Sequence, residues 1–241
     1  MTNSEESSST NPTPTPTPTP TTPTTKTKWY TAKEIKLHNA AEDCWVSING
    51  SVFDLTNFLA DNRGPLAQPI IENAGQNISS WFTKDNKVLT YVDPDRNLTL
   101  PYTPQGRFVH VPPPEPSASW SLDCVQWWKN EDLKIGKVSQ TTRKINVVNT
   151  LTQQEHELNV CSEETIEEIQ QRYLSFNGHA ASYTWKRLDD KGEEFVVMDM
   201  SKTLEENGCM NEAGEFEKLQ IPDDWYVPVM HIYFNDDLSV A

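Results

Sequence analysis

The sequence predicts an α+β fold in two small domains, and three observations carry that prediction. The alternating run Trp45-Val46-Ser47-Ile48 meets an Asn49-Gly50 turn signal and resumes as Val52-Phe53-Asp54-Leu55, a hairpin pattern. A second group of strand-like runs, interrupted by one amphipathic helix, begins near Arg143. Between the two groups lie Pro112, Pro113, Pro114 and Pro116, which exclude regular structure there.

Taken in order, residues 1–27 are of low complexity, with threonine and proline alternating from Pro12 to Pro20 and almost nothing apolar. Such a tract cannot bury enough surface to offset its ordering entropy, so it is expected to be an extended, disordered, solvated tail. The first domain spans 28–93. Thr31 with Glu34 three residues on makes a capping box for a helix over 32–38. A helix opens at Thr56, and short helices over 69–72 and 78–82 flank the Ala74-Gly75 break. Residues 94–142 read as a linker that carries Trp120, Trp127 and Trp128. Three tryptophans are poorly suited to water, so this segment packs back on the domains or meets a partner. The second domain spans 143–241. Strands over 144–149 and 156–160 surround a turn, and Thr165 with Glu168 forms a second capping box. Ile166, Ile169 and Tyr173 recur on one helical face, followed by strands over 183–188, 195–198 and 229–234. Gly208 is a helix stop for the short segment before the last of these.

Thirty-five acidic against twenty basic side chains give a formal charge of −15. That balance argues against a nucleic-acid partner, because neutralising phosphates needs clustered Lys and Arg. It is equally wrong for an anionic lipid surface. No run approaches the ~20 apolar residues of a membrane helix, and the start lacks the basic and apolar regions of a secretory signal. The expected place is therefore the cytosol or a space continuous with it. Cys44, Cys124, Cys161 and Cys209 contain no CxxC pair, which leaves them as buried or idle thiols. G-x-S-x-G, P-loop, HExxH and Rossmann patterns are all missing, so no catalytic residue is assigned and binding is expected rather than turnover.

The first domain resembles the cytochrome b5 family. The residues that carry the likeness are Tyr30-Thr31 with Glu34, His38-Asn39, the run from Cys44 to Gly50, the run from Val52 to Thr56, Phe58-Leu59, Ala74-Gly75 and Phe82. The resemblance implies haem held between two helical pairs by two axial histidines, the first in a His-Pro-Gly-Gly turn. Here that turn reads Asp61-Asn62-Arg63-Gly64-Pro65, with Asn62 at about the place of the first ligand. The second ligand should lie a little beyond Phe82, where Tyr91 is the candidate donor to the iron. Asparagine is a poor iron ligand, whereas a tyrosine phenolate holds ferric haem in catalase. The competing roles are a turn residue for Asn62 and a half-buried aromatic cap for Tyr91. His110 is either a third donor that swings back or a histidine of a structured linker.

The second domain resembles a ubiquitin-like β-grasp, in the order hairpin, helix, strand, short strand, helix-like turn and closing strand. The chain ends Ser239-Val240-Ala241 without a Gly-Gly pair, so docking rather than conjugation is the expectation. The order of parts, with the stretches 104–112, 179–186 and 233–238, resembles a family of cytochrome b5-domain proteins of motile cilia. That resemblance implies a place in the ciliary axoneme, within cytoplasm and cytoskeleton, with radial spoke proteins as partners. It also implies conditional haem binding in redox signalling that controls ciliary beating. The alternative is a haem-free structural adapter of the axoneme.

Overall fold

The computed structural model describes residues 27–115, 117, 120, 125–189, 191–222 and 225–234. Most of the Thr/Pro tail, Cys124 and the final residues 235–241 lie outside them. The chain is α+β, as expected.

The first domain starts with β1 (Trp29–Tyr30) and α1 (Ala32–Leu37). The capping box forms: the Thr31 hydroxyl accepts from the Glu34 N–H at 3.1 Å, and the Glu34 carboxylate accepts from the Thr31 N–H at 2.7 Å. Next come β2 (Asn39–Ala40), β3 (Asp43–Ile48) and β4 (Ser51–Asp54). The β3–β4 turn holds Asn49 and Gly50 at φ +47° and +80°, both in the left-handed region a tight hairpin demands. Helices α2 (Thr56–Asp61) and α3 (Gln68–Glu72) follow, then a 3-10 turn at Ser79–Trp81.

From there the chain departs from the sequence reading. It makes a two-stranded hairpin, β5 (Thr90–Asp93) and β6 (Leu98–Pro101), which runs across the boundary between first domain and linker read at 93/94. Far into the stretch read as a linker it adds β7 (Lys134–Val138). This strand enters the first sheet, whose order is β1-β7-β4-β3-β2, parallel to β1 and antiparallel to β4. Gly136 permits that insertion, because a Cβ there would lie 2.3 Å from the Lys28 carbonyl oxygen and 2.8 Å from the Tyr30 ring. Gly136→Ala is expected to cost about 1–3 kcal/mol by overpacking. An unchanged urea midpoint would show that β1 can leave β7 freely.

The second domain contains β8 (Thr142–Asn149), β9 (Gln154–Cys161), α4 (Ile166–Tyr173), β10 (Tyr183–Leu188), β11 (Phe195–Val197), α5 (Ala213–Leu219) and β12 (Val229–Phe234). Its sheet runs β11-β10-β12-β8-β9, with β12 parallel to β8 and the other pairs antiparallel. A closing strand seated beside the opening strand is compatible with the β-grasp expectation. Ile166, Ile169 and Tyr173 pack on Ile145, Val147, Leu158 and Trp185, which is the apolar stripe read from the sequence. No apolar stripe announces α5, which buries none of its residues.

The domains meet through polar contacts. Arg172 on α4 pairs with Glu34 on α1 and, at 2.7 Å, with Glu164, and it donates to the Trp29 carbonyl at 3.3 Å. Glu163 accepts from the Ser139 hydroxyl at 2.7 Å and the Gln140 N–H at 2.9 Å. Burial pushes the Cys44 and Cys161 thiols up to about 12, so both are unreactive near neutral pH.

Candidate functional site

The site is a slot between α2–α3 on one side and the 3-10 turn with Phe82 on the other. Phe58 projects from α2, and Phe82 caps the 3-10 turn. Two pieces of the distal chain fill the space between them. The first is 108–111, whose Val109 N–H donates to the Leu66 carbonyl at 3.1 Å, beside the turn after α2. The second is the 3-10 turn Trp127–Lys129.

Their rings interlock. Trp127 lies 6.2 Å from each of Phe53, Phe58 and Phe82, centroid to centroid. Trp128 lies 5.5 Å from Phe82 and 5.7 Å from Phe108, and Phe108 lies 5.1 Å from Trp81. Most of these pairs are edge-on or tilted, the arrangements aromatic quadrupoles favour. Trp127 and Trp128 are 1% and 2% exposed, yet both indole N–H groups are buried without an acceptor. His110 stitches the two pieces together: its Nδ1 accepts from the Trp127 N–H at 3.0 Å, and its ring meets Phe58 at 5.4 Å. With Nδ1 accepting, the ring proton sits on Nε2, and burial pushes the His110 pKa down, which keeps the ring neutral.

The structure does not bring the two sequence-derived residues together. Asn62 caps α2, and its side-chain amide donates to the Phe58 carbonyl at 2.9 Å. It therefore serves as a helix-end residue. Tyr91 sits on β5 opposite Leu100, is 45% exposed, and has the Tyr102 ring as its neighbour at 6.3 Å. Among the described residues no hydrogen bond or ring contact links Tyr91 to Asn62, Phe58 or Phe82. The reason is local. Tyr91 lies on the two-stranded hairpin β5–β6, whose pairing sets it beside Leu100 and Tyr102. Of the residues in the slot, sequence reasoning singled out His110 as a possible donor and Trp127 and Trp128 as rings that must pack somewhere, but it did not place them here, and it passed over Phe108. For the two tryptophans the signal was the cost of leaving them in water, which carried no address.

Residues 31–95 match the family described as cytochrome b5-like heme/steroid binding domain. A Xenopus tropicalis protein named cytochrome b5 domain-containing protein 1 is 47% identical over 215 residues, covering 88% of this chain and 96% of its own. The chain belongs to the cytochrome b5 domain-containing protein 1 family. The human protein of that name is 43% identical over 215 residues, covering 88% of this chain and 92% of its own. Soluble cytochrome b558 of Ectothiorhodospira shaposhnikovii is 28% identical over 69 residues, 29% of this chain and 70% of its own.

The family match and the b-type cytochrome support haem as the group of a cytochrome b5-like domain. In this chain the slot walls, Phe58 and Phe82 with Leu59 and Ile70 in the same core, suit a flat apolar group. The donors do not. Asn62 offers only a neutral amide oxygen, a poor iron ligand, His110 with its Nδ1 accepting carries its proton on Nε2, and Phe108, Trp127 and Trp128 take up the interior. The closed slot therefore does not fit haem as it stands.

Proposed function

We propose that this chain is a non-enzymatic binding protein of the ciliary axoneme, associated with radial spokes, whose cytochrome b5-like domain takes haem conditionally. The observation that carries this reading is a slot whose apolar walls are kept while its interior is filled by the chain's own rings. A resident electron carrier needs its group held tightly in both redox states, and a self-filled slot works against that. The axonemal setting and the radial spoke partners are supported by the resemblance in the order of parts.

Burying each of three large rings contributes about 1.5–3 kcal/mol toward the closed form. The two unpaired indole N–H groups take back about 1–3 kcal/mol each. A closed form favoured by about 3 kcal/mol would weaken apparent affinity roughly a hundredfold, in proportion to the small open fraction. Tyr91 would serve as a ligand only after the β5–β6 hairpin rearranged. An anionic phenolate favours iron(III), so occupancy would rise under oxidising conditions and fall on reduction, as a redox signal controlling ciliary beating requires.

Haemin titration followed by absorbance tests this. A Soret band that saturates when oxidised and fades on reduction is expected. Equal affinity in both states would instead describe an electron carrier. A titration indistinguishable from free haemin would leave a second reading, a haem-free adapter of the axoneme, which Asn62 in place of histidine favours.

A further inference from the structure

The second sheet ends on one side in β9, and the outer edge of that strand lies open to solvent along Glu155, Glu157 and Asn159. β9 pairs with β8 along its whole length, Gln154 to Cys161, without a bulge. The Ser162 N–H donates to the Thr141 carbonyl at 3.0 Å, which fixes the phase of the ladder. Counting back in twos, Gln154, His156, Leu158 and Val160 turn their backbone groups inward to β8, and Glu155, Glu157 and Asn159 turn theirs outward. Cys161 closes this edge at one end: its N–H donates to the Glu164 carboxylate at 2.9 Å, and its carbonyl accepts from the Glu164 N–H at 3.2 Å. Before it, no described hydrogen bond takes the backbone N–H or C=O of Glu155, Glu157 or Asn159.

We infer that the β9 edge is a docking site for an extended segment of a partner protein, added as a further strand, with Lys or Arg at alternate positions and apolar residues between them. The inference rests on the reading of the chain as a binding protein and makes no use of the haem site.

The two faces of β9 specify that partner. Leu158 and Val160 point into the core with Ile169 and Tyr173 of α4, so Glu155 and Glu157 lie on the opposite face. Lys144 lies 3.6 Å from Glu157, and Glu155 accepts from the Asn146 side-chain amide at 3.3 Å. One lysine against two carboxylates leaves this face of the edge negative. Alternate side chains of an added strand fall opposite Glu155 and Glu157, where positive charge is favoured. The side chains between them fall on the α4 face. There Phe176, just past α4, is 51% exposed with its ring 4.7 Å from the His156 ring, and an apolar neighbour would cover it. A second copy of this chain is the wrong occupant, because pairing about Glu155, His156 or Glu157 sets Glu opposite Glu. The same carboxylates keep an open edge from pairing with itself.

The test titrates the full-length chain with a capped peptide that alternates lysine and valine over seven residues, followed by amide hydrogen exchange. At saturation, exchange at the Glu155, Glu157 and Asn159 amides should slow by about tenfold or more, while Val46 in the first sheet is unchanged. The same peptide methylated on every backbone nitrogen keeps its charge but cannot donate, and it should lose binding. Glu155→Lys combined with Glu157→Lys should prefer a glutamate–valine peptide by about tenfold, with unchanged exchange at Val147 reporting an intact sheet. Equal binding of the methylated peptide would overturn the inference, because charge alone would then suffice. So would unaltered exchange at all three edge amides, or a dimer of the unaltered chain that buries them. Edge protection in a chain that takes no haemin would keep the docking site and sink the haem reading; haemin binding without edge protection would do the reverse.

Discussion

Arg172→Met is expected to lower stability by about 3–5 kcal/mol, the range for breaking one side of a buried ion pair. Arg172 bridges Glu34 of the first domain and Glu164 of the second, and the Glu164 side chain is 5% exposed. Removing the guanidinium strands that carboxylate away from water. Glu34, about a third exposed, adds less, because solvent screens its share. The sign of the pH dependence follows from the two carboxyls. Burial pushes the Glu164 pKa above its ordinary 4.5, against the pull of Arg172 and the Cys161 N–H. Without Arg172 it rises further. A carboxyl with a raised folded pKa is costly while charged, above that pKa, and the cost fades as pH falls toward the unfolded value. The deficit of Arg172→Met should therefore shrink between about pH 7 and about pH 5. Glu34 runs the other way in the unaltered chain. Burial opposes it, but Arg172 and Thr31 hold its pKa below 4.5, so its contribution is full above that value and lost as pH falls through the folded pKa. Urea unfolding at the two pH values reads the effect. A deficit that grows on acidification would mean that Glu164 is not stranded.

Trp127→Ala should cost about 3–5 kcal/mol, as for other fully buried large aromatics. Trp127→Phe should cost less, about 1–3 kcal/mol, because a ring remains and the unpaired N–H is removed, while the smaller ring leaves part of the indole space empty. The contrast separates packing from polarity at a single position. Should Trp127→Ala unfold at the same urea concentration as the unaltered chain, residues 127–129 would be linker and not part of the first core.

What was legible in the sequence was local. Thr31 with Glu34 and Thr165 with Glu168 are three residues apart, and each closes its box without help from the rest of the chain. Asn49-Gly50 needs only its own backbone freedom, and Ile166, Ile169 and Tyr173 share a face by helical geometry alone. What was hidden depends on distant partners. Lys134–Val138 has no strand pattern of its own that distinguishes it from linker, and it becomes a strand because β1 and β4 leave it a place. Gly136 acquires its meaning there from the Lys28 carbonyl. The candidate site was half legible for the same reason. Phe58 and Phe82 follow from the family pattern, but Phe108, His110 and Trp127 enter the slot from far along the chain. Tyr91 was chosen by its distance from Phe82, and distance along a chain translates into a direction only when the intervening structure is known.

The central claim is that the cytochrome b5-like slot is filled by the chain's own aromatic segment. Proton–proton nuclear Overhauser effects in the haem-free, full-length chain test it most directly. Cross-peaks from the Trp127 and Trp128 indoles to the rings of Phe82 and Phe108, with strongly shifted indole resonances, are the predicted result. Indole resonances at their free positions, with no contact to Phe82 or Phe108, would contradict it.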